Sequence, residues 1–327
     1  MRRISVVARL SSCVVAVAAV MATATALAAD APVRWKFKPG ETLNYVLERG
    51  TDGKMKLSGS ELGIKVGMAF DTTWKVASVE SDGTGNIEQT IDRIQINMES
   101  PLAGTVKYDS ANAAAKPAGP IWAMMGPVVE GMLGQTFKVK ISPRGEVSDI
   151  QLPQKLVDGF EAQKVSQNRQ QGMGNTFNEK GIKELIAKAV LPLPETAEKD
   201  VTWTQSFTNA MPFVGAETAE TTFTFAGHES LDGKPVAKIE AKTELIFEPA
   251  ENPRAELEIT EQEASATFYF DTAAGHLVKS KGTQKSIKEI SGGQEITQDF
   301  TETSVMYLGK SPVKPAEAAK EPAKAAK

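Results

Sequence analysis

From residue 62 to residue 76 every even position is apolar or a threonine: Leu62, Ile64, Val66, Met68, Phe70, Thr72, Trp74 and Val76. The positions between them are small, polar or charged, among them Gly63, Lys65, Gly67, Asp71 and Lys75. A period of two held this long is the signature of a half-buried β-strand. At ~3.3 Å per residue it would run ~50 Å, several times the reach of an ordinary strand of about 5 to 6 residues. Such a chain builds a large sheet with one apolar face, and whatever covers that face decides what the protein does.

Around this strand the chain reads as β, helix, β. In the first half Leu43, Tyr45 and Leu47 alternate, Asp52-Gly53 is expected to turn the chain, and the long strand follows. Asp82-Gly83-Thr84-Gly85 reverses direction into Ile87 to Met98. There the apolar phase slips from odd (Ile87, Ile91) to even (Ile94, Ile96, Met98), which predicts a bulge near Asp92-Arg93. Phe137, Val139 and Ile141 form a further strand. In the second half Asp232-Gly233 marks a tight hairpin, and Ala237, Ile239, Ala241, Thr243, Leu245 and Phe247 alternate cleanly. A second slip, from Leu257 and Ile259 to Ala264, Ala266, Phe268 and Phe270, predicts a bulge between Thr260 and Glu263. The expected fold class is mainly β with a few helices: a long, curved antiparallel sheet or half-barrel in two similar halves, helices packed on its apolar face.

Residues 1–29 read as a cleavable signal peptide. Arg2, Arg3 and Arg9 make a basic start, Leu10 to Leu27 carries no charge, and Ala26-Leu27-Ala28 fits signal-peptidase cleavage. The expected location is periplasmic or secreted. Cys13, the single cysteine, lies within that segment, so the mature chain has no disulfide and no thiolate site. The remaining divisions are a β half over 30–150, a helical connector over 151–195, a second β half over 196–309, and a tail over 310–327. That tail is built of Pro, Ala, Glu and Lys, and is expected to be disordered. Its basic charge suits weak contact with an anionic envelope surface.

Charge and residue inventory narrow the function classes. Of 37 basic and 41 acidic residues, setting aside the signal and tail leaves 29 and 39, a net of −10. This speaks against nucleic acid as a partner. The sequence holds two histidines, His228 and His276, and lacks a Gly-x-Ser-x-Gly elbow, a phosphate-binding glycine loop and a dinucleotide fingerprint. No catalytic residue, metal site or cofactor is assigned, and the chain is read as non-enzymatic. Glu256, Glu258, Glu261 and Glu263 alternate along a strand and read as its solvated face.

Two helices carry more information. Ile182, Leu185, Ile186, Ala189 and Val190 share a helical face that starts after Asn178 and ends before Pro192. From Pro120, Ile121, Met124, Met125, Val128, Val129 and Met132 keep helical spacing, with Trp122 beside them and Gly126-Pro127 in the middle. Methionines adapt to irregular surfaces, so this helix either caps the sheet or forms a lid over an apolar cavity. The candidate ligand-binding residues are Met68, Phe70 and Trp74 of the long strand with Trp122, Met124, Met125 and Val128 of the helix.

The stretch Trp35-Lys36-Phe37-Lys38-Pro39-Gly40-Glu41 with Leu43-Asn44-Tyr45, and Val79-Glu80-Ser81-Asp82-Gly83 leading into Ile91-Asp92-Arg93-Ile94, resembles an uncharacterised family of secreted bacterial β-rich proteins. More distantly, Phe268-Tyr269-Phe270-Asp271 with Gly275-His276-Leu277-Val278 is similar to a hairpin of periplasmic lipoprotein carriers. That likeness implies a curved antiparallel sheet around an apolar cavity closed by helices. The chain departs from the carriers in its greater length and in lacking a basic docking patch. The resulting expectation is a binder of a hydrophobic, lipid-like small molecule. The alternative is a cell-envelope structural or protein-interaction module with a fully packed core.

Overall fold

The computed structural model describes residues 32–57, 59–101, 104–112, 116–158, 179–211, 214–293 and 295–311. The expected signal peptide, the Gln- and Asn-rich stretch at 166–176 and most of the tail lie outside the described residues. Among the described residues there are twelve strands: β1 (Thr42–Leu57), β2 (Ser60–Val79), β3 (Gly85–Ser100), β4 (Gly104–Asp109), β5 (Thr136–Ile141), β6 (Val147–Gln151), β7 (Thr202–Met211), β8 (Gly215–Leu231), β9 (Lys234–Pro249), β10 (Glu256–Asp271), β11 (His276–Ser291) and β12 (Ile296–Leu308). Helix α1 (Pro120–Met132) lies between β4 and β5, and α2 (Glu179–Lys188) between β6 and β7.

All strands join one antiparallel sheet, ordered β6-β5-β3-β2-β1-β12-β11-β10-β9-β8-β7, with β4 also on β3. It is open, since β6 and β7 are its edges. The first and last strands meet at its centre, where β1 and β12 pair from Tyr45–Leu308 to Leu57–Ile296.

One expected hairpin and both expected bulges are present, and one expected turn is not. Asp232 and Gly233 both take positive φ, 52° and 78°, which is the two-residue hairpin whose twist suits antiparallel strands. Both phase slips are bulges: Asp92 is extra between Asp71–Arg93 and Thr72–Ile91, and Thr260 is extra between Ile259–Lys288 and Glu261–Ile287. Asp52-Gly53 is not a turn. β1 runs straight through it, paired on both sides. A Cβ at Gly53 would lie 2.1 Å from the Asp299 carbonyl oxygen and 2.4 Å from the Phe300 ring, so glycine is there for close cross-strand approach.

The sheet is curled. Trp74 and Ile87 from one flank share a buried cluster with Phe223, Phe225 and Ile239 from the other. β3 and β8 are seven positions apart in the sheet, which is ~34 Å in a flat one. The segment 33–37 fills the space between the flanks. The Trp35 N–H donates to the Pro143 carbonyl at 2.8 Å, and the Lys36 N–H to the Gly275 carbonyl at 2.9 Å. The Trp35 indole stacks on Phe37 and Trp74 and meets Phe270 edge-on, while its N–H donates to the Leu191 carbonyl at 2.9 Å. Leu191 and Leu193, just past α2, are buried in the same cluster.

Tyr45 sits in this cluster at 1% exposure, its hydroxyl donating to the Leu277 carbonyl at 3.1 Å. Burial, seconded by the charge of Glu41, pushes its phenol pKa far above the ordinary value. In the unfolded chain the same phenol ionises near pH 10. Folding stability should therefore be intact below about pH 10 and fall above it by up to about 1.4 kcal/mol per pH unit. Urea midpoints measured across this range should drop more steeply for the parent than for Tyr45→Phe, which at neutral pH loses only about 1 kcal/mol for its missing hydrogen bond.

Candidate functional site

Cross-strand register assigns every strand residue to one of two faces, because directly opposed side chains share a side. The concave face carries Leu43, Tyr45 and Leu47 of β1 opposite Trp74, Thr72 and Phe70 of β2. Along the strands this face falls into three zones.

The deep end is packed. Trp74 is 3% exposed there, with Tyr45 against its ring at 4.9 Å.

The second zone lies under α1. Trp122, Met125, Val128, Val129 and Met132 pack onto Ile94, Ile96, Val106 and Tyr108 of β3 and β4, with Met68 and Phe70 partly buried alongside. The helix presents its apolar stripe to the sheet as a helix with this spacing must, and Pro127 sits inside it. Trp122 tilts over Tyr108 at 4.5 Å. Gly126 makes room for it, since a Cβ there would lie 2.9 Å from the indole.

The third zone is the far end of the face. Leu62, Ile64 and Val66 of β2 are half-buried, as are Met55 and Leu57 of β1, Ile296 and Phe300 of β12, Ile290 of β11 and Leu257 and Ile259 of β10. One cross-strand line, Leu57–Ile296–Ile290–Leu257, is apolar over four strands, while the next runs Met55–Gln298–Lys288–Ile259 and the one after it Gly53–Phe300–Ser286–Gln262. The apolar side chains of this zone belong to neither buried cluster. Polar groups cross this apolar end and its junction with the deep core. Arg49 faces Glu302 at 3.7 Å. Lys288 of β11 pairs with Glu217 of β8, both side chains 19% exposed. Those strands are three positions apart, about 14 Å in a flat sheet, so the pair closes only because the sheet curls.

Of the residues expected to bind a ligand, the structure brings together Met68, Phe70, Trp122, Met125 and Val128 beneath α1. Trp74 is placed apart from them in the deep cluster. The side chain of Met124 lies outside the described residues. These polar groups were not anticipated, yet a signal for them exists: Arg49 and Thr51 continue the odd phase of Leu43, Tyr45 and Leu47, so polar groups occupy apolar-phase positions.

On the opposite, convex face a groove of about 890 Å³ runs beside Gly50, Gly67 and Ala69, with Glu48, Lys107 and Asp109 on its walls. Asp109 is held by two bonds from Arg93, at 2.9 and 2.6 Å, and these keep its carboxyl below the usual carboxylate range. A second groove of about 630 Å³ separates α2 from Phe207 of β7, where Lys188 lies 4.8 Å over the Phe207 ring. Among the described residues no group of three or more His, Cys, Asp or Glu side chains is placed to hold a metal ion.

Residues 82–286 match the model of a Family of unknown function (DUF6263), more than half of the chain. No curated protein sequence matches. Among solved structures, lipovitellin aligns over 87% of this chain and 27% of its own, with 12% identity and a TM-score of 0.42. This chain thus spans about a quarter of lipovitellin. A Bacteroides fragilis protein of YmcC-like fold aligns over 86% and 99%, at 8% identity and TM-score 0.23. The COG4313 outer membrane channel of Pseudomonas putida F1 aligns over 84% and 97%, at 6% identity and TM-score 0.21. These scores are too low to establish a common fold.

The contrast between the zones is measurable. Trp122→Ala should lower the urea-unfolding free energy by about 3 to 5 kcal/mol, as expected for an aromatic deleted from a packed site. Val66→Ala, in the open zone, should cost less than about 1 kcal/mol.

Proposed function

We infer that this chain, which belongs to the Family of unknown function (DUF6263), is an exported, non-enzymatic protein that binds a lipid-like molecule on its concave face. One observation carries this reading. The apolar row that is fully buried at Trp74 and Val76 continues as half-buried side chains through Leu62, Ile64 and Val66, and Met55, Leu57, Ile296, Ile290 and Leu257 are half-buried on the same face. An incompletely covered apolar surface of this kind, with polar groups beside it, is what a ligand-binding groove presents. An acyl chain would lie along the Leu57–Ile296–Ile290–Leu257 line, and the polar groups Arg49, Glu302, Lys288 and Glu217 would meet its polar end.

Trp122, Met125 and Val128 enter this account as the fixed wall of the trough, since α1 is packed onto β3 and β4. The complete burial of Trp74 and of this helix face also supports the second reading, an envelope structural module with a packed core. The two differ in what they require of the far end of the sheet.

The test is native mass spectrometry of the exported protein before and after delipidation, followed by titration with a fluorescent fatty-acyl probe. A bound apolar mass and saturable uptake are expected. Val66→Lys should reduce uptake by at least about tenfold, equivalent to about 1.4 kcal/mol, without altering far-UV circular dichroism. The absence of both bound mass and uptake would overturn the proposal.

A further inference from the structure

The turn between β10 and β11 holds the segment at residues 33–37 by two bonds. The Lys36 N–H donates to the Gly275 carbonyl at 2.9 Å, and the Lys36 ammonium donates to the Thr272 carbonyl at 2.8 Å. His276 comes next in the chain and pairs across the ladder with Asp271. Glu41 follows the segment and leads into β1, its carbonyl accepting the Val76 N–H at 2.9 Å.

His276 and Glu41 each carry a polar atom sealed from water. His276 Nδ1 and Glu41 Oε2 are buried, and among the described residues neither has a hydrogen-bond partner. Buried atoms of this kind are rare in folded chains and call for a reason. The two residues feel each other's charge, yet they are not bonded to one another. Asp271 is engaged with the turn itself, since its Oδ1 accepts the N–H groups of Ala273 and Ala274 at 2.9 and 2.8 Å.

We propose that His276 and Glu41 form an acid-sensitive latch, in which the β10–β11 turn stays on residues 36–41 while the imidazole is neutral and lifts off when it gains a proton. A neutral imidazole has a single N–H, so Nδ1 can remain a bare acceptor. The imidazolium carries an N–H on both nitrogens, and a charged donor buried without an acceptor is costly. Lifting the turn lets water reach Nδ1, and it hydrates Glu41 Oε2 in the same movement.

Charges from every element around the ring bear on this balance. Burial, the largest effect, holds the imidazole below the ordinary histidine value; Asp271 of β10 and Glu41 pull it up, and Lys38 beyond the segment and Lys234 of β9 push it further down. Once opened, the ring titrates near the free value of about 6.5. The closed form is therefore favoured in full above about pH 6.5, and it loses that preference as pH falls. The latch is independent of what the trough binds.

The test uses the full chain without an added histidine tag. Amide exchange at Lys36 and Trp35, corrected for intrinsic chemistry, is followed by NMR from about pH 7.5 to about pH 5, together with the titration of the His276 ring. Below about pH 6.5 the opening constant at Lys36 should rise by up to about tenfold per pH unit until His276 is fully charged. Trp35, bonded to the other flank at Pro143, should keep its protection. His276→Gln should abolish the pH dependence, whereas His228→Gln, at the other histidine of the sequence, should retain it. Glu41→Gln removes a charge that favours the imidazolium and should move the release to lower pH. A His276→Gln chain that keeps the dependence would overturn the proposal. If that variant does not fold, the parent decides: a ring midpoint at or above the free value, or Lys36 protection that is constant through the titration, would overturn it equally. So would protection that increases in acid, which would mean that the charged ring bonds Glu41 and tightens the contact, and so would equal losses at Lys36 and Trp35, which would assign the change to global unfolding.

Discussion

The fold depends on one short segment that ties both flanks of an open sheet to the same tryptophan. Trp35 and Lys36 donate consecutive backbone bonds, one to the β5–β6 turn at Pro143 and the other to the β10–β11 turn at Gly275. Each turn has a glycine at positive φ where it meets the segment. A Cβ at Gly145 would lie 3.0 Å from the Trp35 indole nitrogen and 2.2 Å from the carbonyl oxygen of Leu191, which that indole bonds, and one at Gly275 would lie 2.3 Å from the Lys36 Cβ. Neither position has room for a side chain. Without the segment, an open sheet of twelve strands would have no reason to draw its flanks together at this end.

That anchoring makes the two ends of the concave face different. Near Trp35 the face is filled by aromatic rings and by Leu191 and Leu193. One flank further along is covered by α1. At the far end the described residues supply no comparable cover, and the apolar rows stay half-buried. Within that far end Lys288 and Glu217 lose most of their water and hold each other, since an unpaired charge at that depth is costly. The β9–β10 ladder ends on the same side of the sheet, at Lys242–Ser265.

Much of this was legible from sequence because it is local. The alternation of residues 62–76 is β2, and the two phase slips are bulges at Asp92 and Thr260. What failed was also local: Asp52-Gly53 has turn composition, and only the Phe300 ring opposite explains the glycine. The pairing of Tyr45 with Leu308 joins the two ends of the chain and leaves no mark in either segment. For the same reason Trp74 could be assigned an apolar face but not the deep cluster, and Gln262 gave no sign of reaching Leu245. The expected signal peptide falls outside the described residues, so export remains part of the proposal.

Methyl-resolved NMR with a fatty acid carrying a nitroxide on its acyl chain tests the central claim most directly. At saturation the methyls of Ile64, Val66, Leu257, Ile290 and Ile296 should broaden, while those of Ile141, Leu191 and Leu193 in the deep cluster keep their intensity. Broadening confined to the deep cluster or to the convex face, or none at all, would contradict the account of an open apolar trough.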